Sequence, residues 1–313
     1  MLLTHPHQDH VGGLLAVLER YQVGLVIDPD RPYPNPTYAR FLEEARAEPG
    51  ARIVEARFGQ VLDLGEGATF RILFPAPADV VAPLPDNDIN NASAVGILRH
   101  VGFTALLTGD AKGPIEDLLA QRGLLQQIDV LKVGHHGSNA STTPDFLAAV
   151  NPIAALISAG VGNPYGHPHR ETIEKLAAVP GLRTHRTDLE GSIEVISDGR
   201  RFRVTSRVAD DGWRPVHTET APLGRGTPGR IGLWLFPPVM KPIGCSRAST
   251  SRKGSWSTHV AWHASPPRRR ASLRPRATSL TRSSSRSPPC CTTSTSRRPA
   301  AAGSLMAWSE HGG

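Results

Sequence analysis

Three histidines and an aspartate fall within six residues of Thr4-His5-Pro6-His7-Gln8-Asp9-His10-Val11-Gly12-Gly13. Buried imidazoles and carboxylates are costly without partners, so a stretch this dense in them does not read as a core segment. A divalent metal ion is the economical partner, since His and Asp both ligate zinc and related ions. His5 and His7 are two apart and point the same way in an extended segment. Asp9 and His10 follow a turn and point to a second place. One loop can therefore feed two ions. A pair of ions roughly 3.5–4 Å apart clamps the attacking and leaving oxygens of a hydrolytic displacement. Gly12-Gly13 lets a following helix start close to the site.

His-x-His-x-Asp-His, followed by Gly-Gly-Leu and read with later motifs, resembles the signature of the metallo-β-lactamase superfamily. Within it, the pattern is similar to the hydrolase domain of the ComEC competence proteins, over about residues 1–206. The resemblance implies two divalent ions, zinc or manganese. Asp110, at the end of the apolar strand Leu106-Leu107-Thr108-Gly109-Asp110, is implied to bridge them; its other reading is a helix N-cap. Of the pair His135-His136 after the next strand, the resemblance favours His136 as the last ligand. His135 would then face the substrate or support the ligands, as would Ser138. Alternatively the pair simply ends a strand. His167, in Tyr165-Gly166-His167-Pro168, resembles a further family motif and would orient phosphate or a ligand, or else is a surface-loop histidine. His100, His169 and His185 read as ordinary.

One departure is specific. Most superfamily members supply a third histidine to the first ion from the region before the bridging aspartate. Here that window reads Asn90-Asn91-Ala92-Ser93, as in ComEC-type domains. The expected first site is therefore His5, His7 and Asp110, helped by Asn91 and backed by Ser93. The second is Asp9, His10, Asp110 and His136, with Asp9 also orienting the attacking water. A site poorer in nitrogen suits manganese or magnesium better than zinc.

These residues need rigid elements beneath them. Leu14, Leu15 and Leu18 form the apolar stripe of a helix over 11–21. Short strands are expected at 23–28, 52–55, 68–74, 94–99, 104–108, 129–133 and 153–158. Helices are expected at 38–47, 114–122, 143–150 and 171–179, and three further strands by about Ser206. A loop holds the four prolines of 29–36, and another spans Pro75–Pro85. Helices and strands alternate, with hairpins mixed in. This predicts an α/β sandwich of αββα type, sheets inside and helices outside. In the family, several strands precede the histidine loop, so the domain is expected to lack its first strands. The strand before His5 is then little more than Leu2-Leu3, and the chain is expected to cleave DNA weakly or not at all with manganese.

The charge splits the chain in two. Residues 1–219 carry 20 Lys and Arg against 27 Asp and Glu, whereas residues 220–313 carry 15 against a single acid, Glu310. The high pI thus belongs to the tail. All three cysteines, Cys245, Cys290 and Cys291, lie there too, so the motif-bearing part has neither a disulfide framework nor a cysteine zinc site. The expected division is a hydrolase domain at 1–207 and a basic Arg/Ser/Pro-rich tail at 208–313. That tail reads as disordered or out of frame, or as a basic arm for nucleic acid. No run approaches the roughly 18–20 apolar residues of a membrane span, and no charged-then-apolar leader opens the sequence. DNA is a partner by resemblance alone, as is a membrane channel, to which ComEC-type hydrolase domains are joined. A small-ester hydrolase of lactonase or thioesterase type would use the same ions, and an inactive fragment is the third reading.

Overall fold

A strand sends successive side chains to opposite faces, and the apolar residues of this chain sort into layers on that rule. The structure is a computed structural model and describes residues 1–76, 78–79, 85–217, 231–235, 256–264 and 307–312. Its elements begin with α1 (Gln8–Arg20), β1 (Leu25–Asp28), α2 (Pro36–Ala47), β2 (Arg52–Glu55), β3 (Val61–Gly65) and β4 (Ala68–Phe74). They continue with β5 (Val95–His100), β6 (Phe103–Leu107), α3 (Gly113–Gln121), β7 (Val130–Lys132), α4 (Pro144–Val150) and β8 (Ala154–Ile157). Then come α5 (Arg170–Ala177), β9 (Arg183–Arg186), α6 (Thr187–Glu190), β10 (Ile193–Ser197), β11 (Arg201–Ser206) and β12 (Arg214–Pro215). The described remainder is β13 (Ile231–Leu235), β14 (Trp256–Ala264) and β15 (Ala307–Gly312).

A seven-stranded sheet runs in the order β3-β4-β5-β6-β7-β8-β9. Its first four strands pair antiparallel, and β6 to β9 pair parallel. The second layer holds β1 paired parallel with β2, and the sheet β12-β11-β10-β13-β14-β15. Leu98, Ala105, Val130 and Leu156 face inward, against Leu2, Ile27, Val195 and Phe202 of the second layer. Their sequence neighbours Ile97, Leu106, Leu131 and Ile157 face outward, onto Ile115, Leu119, Phe146 and Leu176 of α3 to α5. Leu3 and Val26 likewise turn away from the inner core, toward α1 and α2. Strands buried on both faces read as unbroken apolar runs, which is why β6 and β8 are legible as strands. The αββα architecture expected from the sequence is present.

The differences are local. Helix α1 starts at Gln8, so Asp9 and His10 lie in its first turn, where a turn before a helix at 11 was expected. The carbonyl of His7 accepts from the amides of His10 and Val11 and closes that turn early. Strand β3 was not foreseen; it pairs with β4 across the Gly65-Glu66-Gly67 turn. Leu2 does act as a strand, forming a parallel bridge to Ile27 while the Leu3 amide donates to the Ile27 carbonyl.

Beyond 207, residues 209–217 are tied to the sheet. The Trp213 ring lies under the guanidinium groups of Arg201 and Arg203. The His217 amide donates to Asp129 at 2.7 Å. The apolar run Ile231-Gly232-Leu233-Trp234-Leu235 adds to β10 as β13, and β14 and β15 follow. The remaining Arg/Ser/Pro-rich stretches, with the expectation of disorder placed on them, lie outside the described residues, as does part of the 75–85 loop. Among the described residues no helix is long and apolar enough to cross a membrane.

Candidate metal centre

Parallel strands deliver their following loops to one edge, and ligands collect there. β6 ends in Thr108-Gly109-Asp110, β7 in Gly134-His135-His136, and β8 in Ser158. The His5–His10 segment crosses the same edge. Asp9, His10, Asp110 and His136 bring one ligand atom each to within 4.8 Å of one another. From Asp110 Oδ2, His10 Nε2 lies 3.2 Å away and His136 Nε2 3.4 Å away. Asp9 Oδ2 is 3.4 Å from His136 Nε2 and 3.6 Å from His10 Nε2. Tetrahedral ligands on bonds of about 2.0–2.1 Å sit about 3.3–3.4 Å apart, so this set fits one divalent ion. From the same Oδ2, His5 Nε2 is 4.0 Å and His135 Nε2 3.9 Å away. His5 Nε2 also meets His7 Nδ1 at 3.0 Å. Four imidazole nitrogens thus converge on Asp110, and its Oδ1 is buried without a protein hydrogen-bond partner.

The imidazoles are aimed by their far nitrogens. His136 Nδ1 donates to the Ser158 carbonyl at 2.9 Å. His10 Nδ1 is bonded to Thr4 Oγ1 at 2.9 Å. His5 Nδ1 lies 3.2 Å from Ser93 Oγ and 3.3 Å from Thr4 Oγ1. Each contact turns the Nε2 of its ring toward Asp110, as metal-ligating histidines require. Ser93 Oγ also accepts the Asp110 amide at 3.0 Å. That approach needs glycine at 109, where φ is +55° and an added Cβ would lie 2.9 Å from Ser93 Oγ.

His135 and His136 occupy the left-handed region, at φ 47° and 55°, at a cost of about 1–2 kcal/mol each for L-residues. The strain lets adjacent rings both reach the cluster, so neither simply ends a strand. At Gly137 a Cβ would come within 2.5 Å of Pro168 Cβ; glycine lets the His167 loop close over the pair. His167 stays outside the four-residue cluster. Its ring stacks over that of His136 at 6.1 Å and meets the edge of His135 at 5.4 Å.

Electrostatics keep the donors ready for metal. Burial works to raise the Asp110 carboxyl, but His136, His10 and His135 outweigh it and hold it well below the usual carboxylate range. Burial, joined by His10, pushes His5 well below the ordinary imidazole value. His135 is lowered by burial too. His167 falls to about 4, through burial and then its neighbours His136 and His135. Neutral imidazoles facing ionised carboxylates are the protonation states that metal binding needs.

Two expected helpers do other work. The Asn91 amide group donates to the Pro85 carbonyl at 3.0 Å and accepts from the Lys112 amide at 3.1 Å, tying two loops together. Ser138 accepts from the Ala140 amide and, through its carbonyl, from Thr172. The N-cap ahead of α3 is Lys112, so Asp110 is not that cap. His100 is wholly buried at the end of β5, away from the cluster. Thr4, Tyr33 and Tyr165 were not foreseen as part of this edge. A hydroxyl directly before His-x-His was the available signal for Thr4. For Tyr165 the signal is its place two residues before His167 in Tyr165-Gly166-His167-Pro168.

Residues 1–161 match the family model described as the metallo-beta-lactamase superfamily. The chain is 34% identical over 194 residues to ComE operon protein 3 of Bacillus subtilis, a match covering 62% of this chain and 24% of that protein. It is 33% identical over 176 residues to Recombination protein 2 of Haemophilus influenzae, covering 56% of this chain and 19% of that protein. Competence protein ComA of Neisseria gonorrhoeae is 31% identical over 196 residues, covering 62% and 24%. The chain thus spans about a quarter or less of each relative's length. With the family model matching more than half of the sequence and the donor set in place on an αββα fold, the chain belongs to the metallo-beta-lactamase superfamily, a family of metal-dependent hydrolases.

Proposed function

We propose that the chain hydrolyses phosphodiester bonds in DNA, as part of a system for taking up DNA across a membrane. The observation that carries this reading is Asp110 Oδ2, which lies 3.2–4.0 Å from four imidazole nitrogens. A carboxylate so surrounded by imidazoles would suit divalent metal ions. His5, His7 and Asp110 would hold one ion; Asp9, His10, Asp110 and His136 the other. Divalent ions, manganese or zinc, supply Lewis acidity there and a water acidified toward neutrality. Asp9, part exposed at the rim of the cluster, is placed to accept a hydrogen bond from the attacking water and fix its direction. His167 is neutral near pH 7, so it meets a phosphate oxygen as a hydrogen-bond donor and not as a cation. The names of the competence and recombination relatives direct the substrate choice toward DNA. The competence named in the ComA relative also favours a membrane-associated setting for the domain.

The test is hydrolysis by the purified chain of single-stranded DNA, a lactone and a thioester, each with manganese or zinc. DNA cleavage abolished by Asp110→Ala is the expected result. Turnover of the lactone or thioester with intact DNA would overturn the DNA reading in favour of a small-ester hydrolase.

A further inference from the structure

We propose that Tyr165 is a stacking platform for an unpaired nucleobase, which makes the substrate strand single. This rests on the DNA-hydrolase reading above. From His136 at the metal centre, near-parallel rings step outward. His167 lies over His136 with 17° between the planes, and Tyr165 over His167 with 26°, at 5.8 Å. Tyr165 is 51% exposed, so its outer face is open to solvent. The loop beneath it is held. The Asn163 side chain donates to the Gly160 carbonyl at 3.0 Å and to the His167 carbonyl at 2.5 Å, and it accepts from the His167 amide at 3.0 Å. His169 Nε2 lies 3.2 Å from the Tyr165 carbonyl. An exposed aromatic ring on a braced loop is preorganised for a flat partner.

The flanking chemistry points to a base. Residues 1–219 are net acidic, and Lys112 near the site is paired with Asp88, so among the described residues backbone phosphates meet few free cations here. Stacking on an aromatic ring is worth about 1–3 kcal/mol per base and tolerates any sequence. A second tyrosine, Tyr33, meets His7 edge-on at 5.3 Å. Bases inside a duplex already stack on their neighbours and have no free face to offer Tyr165.

The probe is a single-stranded oligonucleotide carrying 2-aminopurine, with calcium in place of manganese to slow cleavage. Base fluorescence should quench on binding to the unmutated chain and to Tyr165→Phe. Tyr165→Ala should lose the quench and bind about tenfold more weakly, with duplex binding unchanged. With manganese, its loss should fall on KM more than on kcat. If Tyr165→Ala misfolds by its thermal melt, Tyr165→Leu, apolar but without a π face, takes its place. Unchanged quench and KM in the variant that folds, alongside normal DNA cleavage, would overturn the platform alone. An unmutated chain that neither binds nor cuts single-stranded DNA would overturn the DNA reading, and the platform with it.

Discussion

Two clusters in this molecule have the same ingredients, histidine and two carboxylates, and different fates. At the strand ends, Asp9 and Asp110 face His10 and His136. Around β9, His185 lies between Glu190 at 3.1 Å and Asp211 at 3.3 Å. The second cluster is neutralised from outside. Arg183 and Arg214 reach Asp211 at 3.0 and 3.5 Å, and Ser206 donates to Glu190 at 2.8 Å. No such cation serves the first: among the described residues, Asp9 and Asp110 pair with imidazoles alone. A carboxylate matched by arginine is a structural ion pair. A buried carboxylate ringed by imidazoles and no arginine has room for the positive charge that a metal ion would supply.

The sharpest way to break that contrast is Asp110→Ala. It removes the oxygen on which the four imidazole nitrogens converge, so bound metal measured by elemental analysis should drop far below the unmutated level. Hydrolysis should fall by on the order of a thousandfold or more, about 4 kcal/mol. His167→Ala should keep its metal. Equal metal content in the Asp110 and His167 variants would erase the distinction between the clusters. The converse substitution is Asp211→Ala. It leaves Arg183, His185 and Arg214 without their shared acceptor and frees the 209–217 segment. Stability to denaturant should fall by about 2–4 kcal/mol, with metal content per folded molecule unchanged. Metal loss there would mean the two clusters are coupled.

The first cluster was legible in the sequence and the second was not, for a physical reason. The candidate donors of His5–His10 come from one short segment whose spacing is itself chemical information. Asp110 and His136 each follow an apolar strand, the one place where a parallel sheet presents side chains at an edge. His185, Glu190 and Asp211 come from a strand, a short helix and an irregular segment, and nothing in their local sequence announces that they meet. The same limit concealed the contacts of Ser93, expected to back the first site, which binds His5 and the Asp110 amide. It also hid Asn91, whose amide holds backbone where a metal was expected. Layering was legible wherever both faces of a strand are buried. It failed at β3, whose burial alternates weakly at a sheet edge.

Thr4→Val sharpens the contrast at lower cost. Its hydroxyl bonds the far nitrogens of both His10 and His5, and valine keeps the shape while removing the oxygen. Supports of this kind typically carry 10–100-fold in metal affinity. A competition titration against a chelator should show a loss in that range, with little change in the melting temperature of the metal-free protein. A melting loss without an affinity loss would make Thr4 a packing residue.

Asp28 offers a third fate for a buried carboxylate, with neither imidazoles nor an arginine pair. Burial pushes it up to about 6 against the Tyr38 hydroxyl, which donates to it at 2.7 Å. Its folded-state pKa lies above the unfolded value, so between roughly pH 4 and 6 the folded state binds more protons than the unfolded one. Stability from this group therefore rises as pH falls through 6 and levels off below about 4. From pH 7 to 5 the gain should be on the order of 1 kcal/mol. Other groups titrate over the same range, so the measurement is a difference: denaturant unfolding at both pH values for the unmutated chain and for Asp28→Asn, which keeps an acceptor for Tyr38 and cannot ionise. The unmutated chain should gain more on acidification than the variant. Equal gains would mean that Asp28 is ionised in the fold at neutral pH without the penalty its burial implies, and that the Tyr38 hydrogen bond alone is enough to hold a charge there.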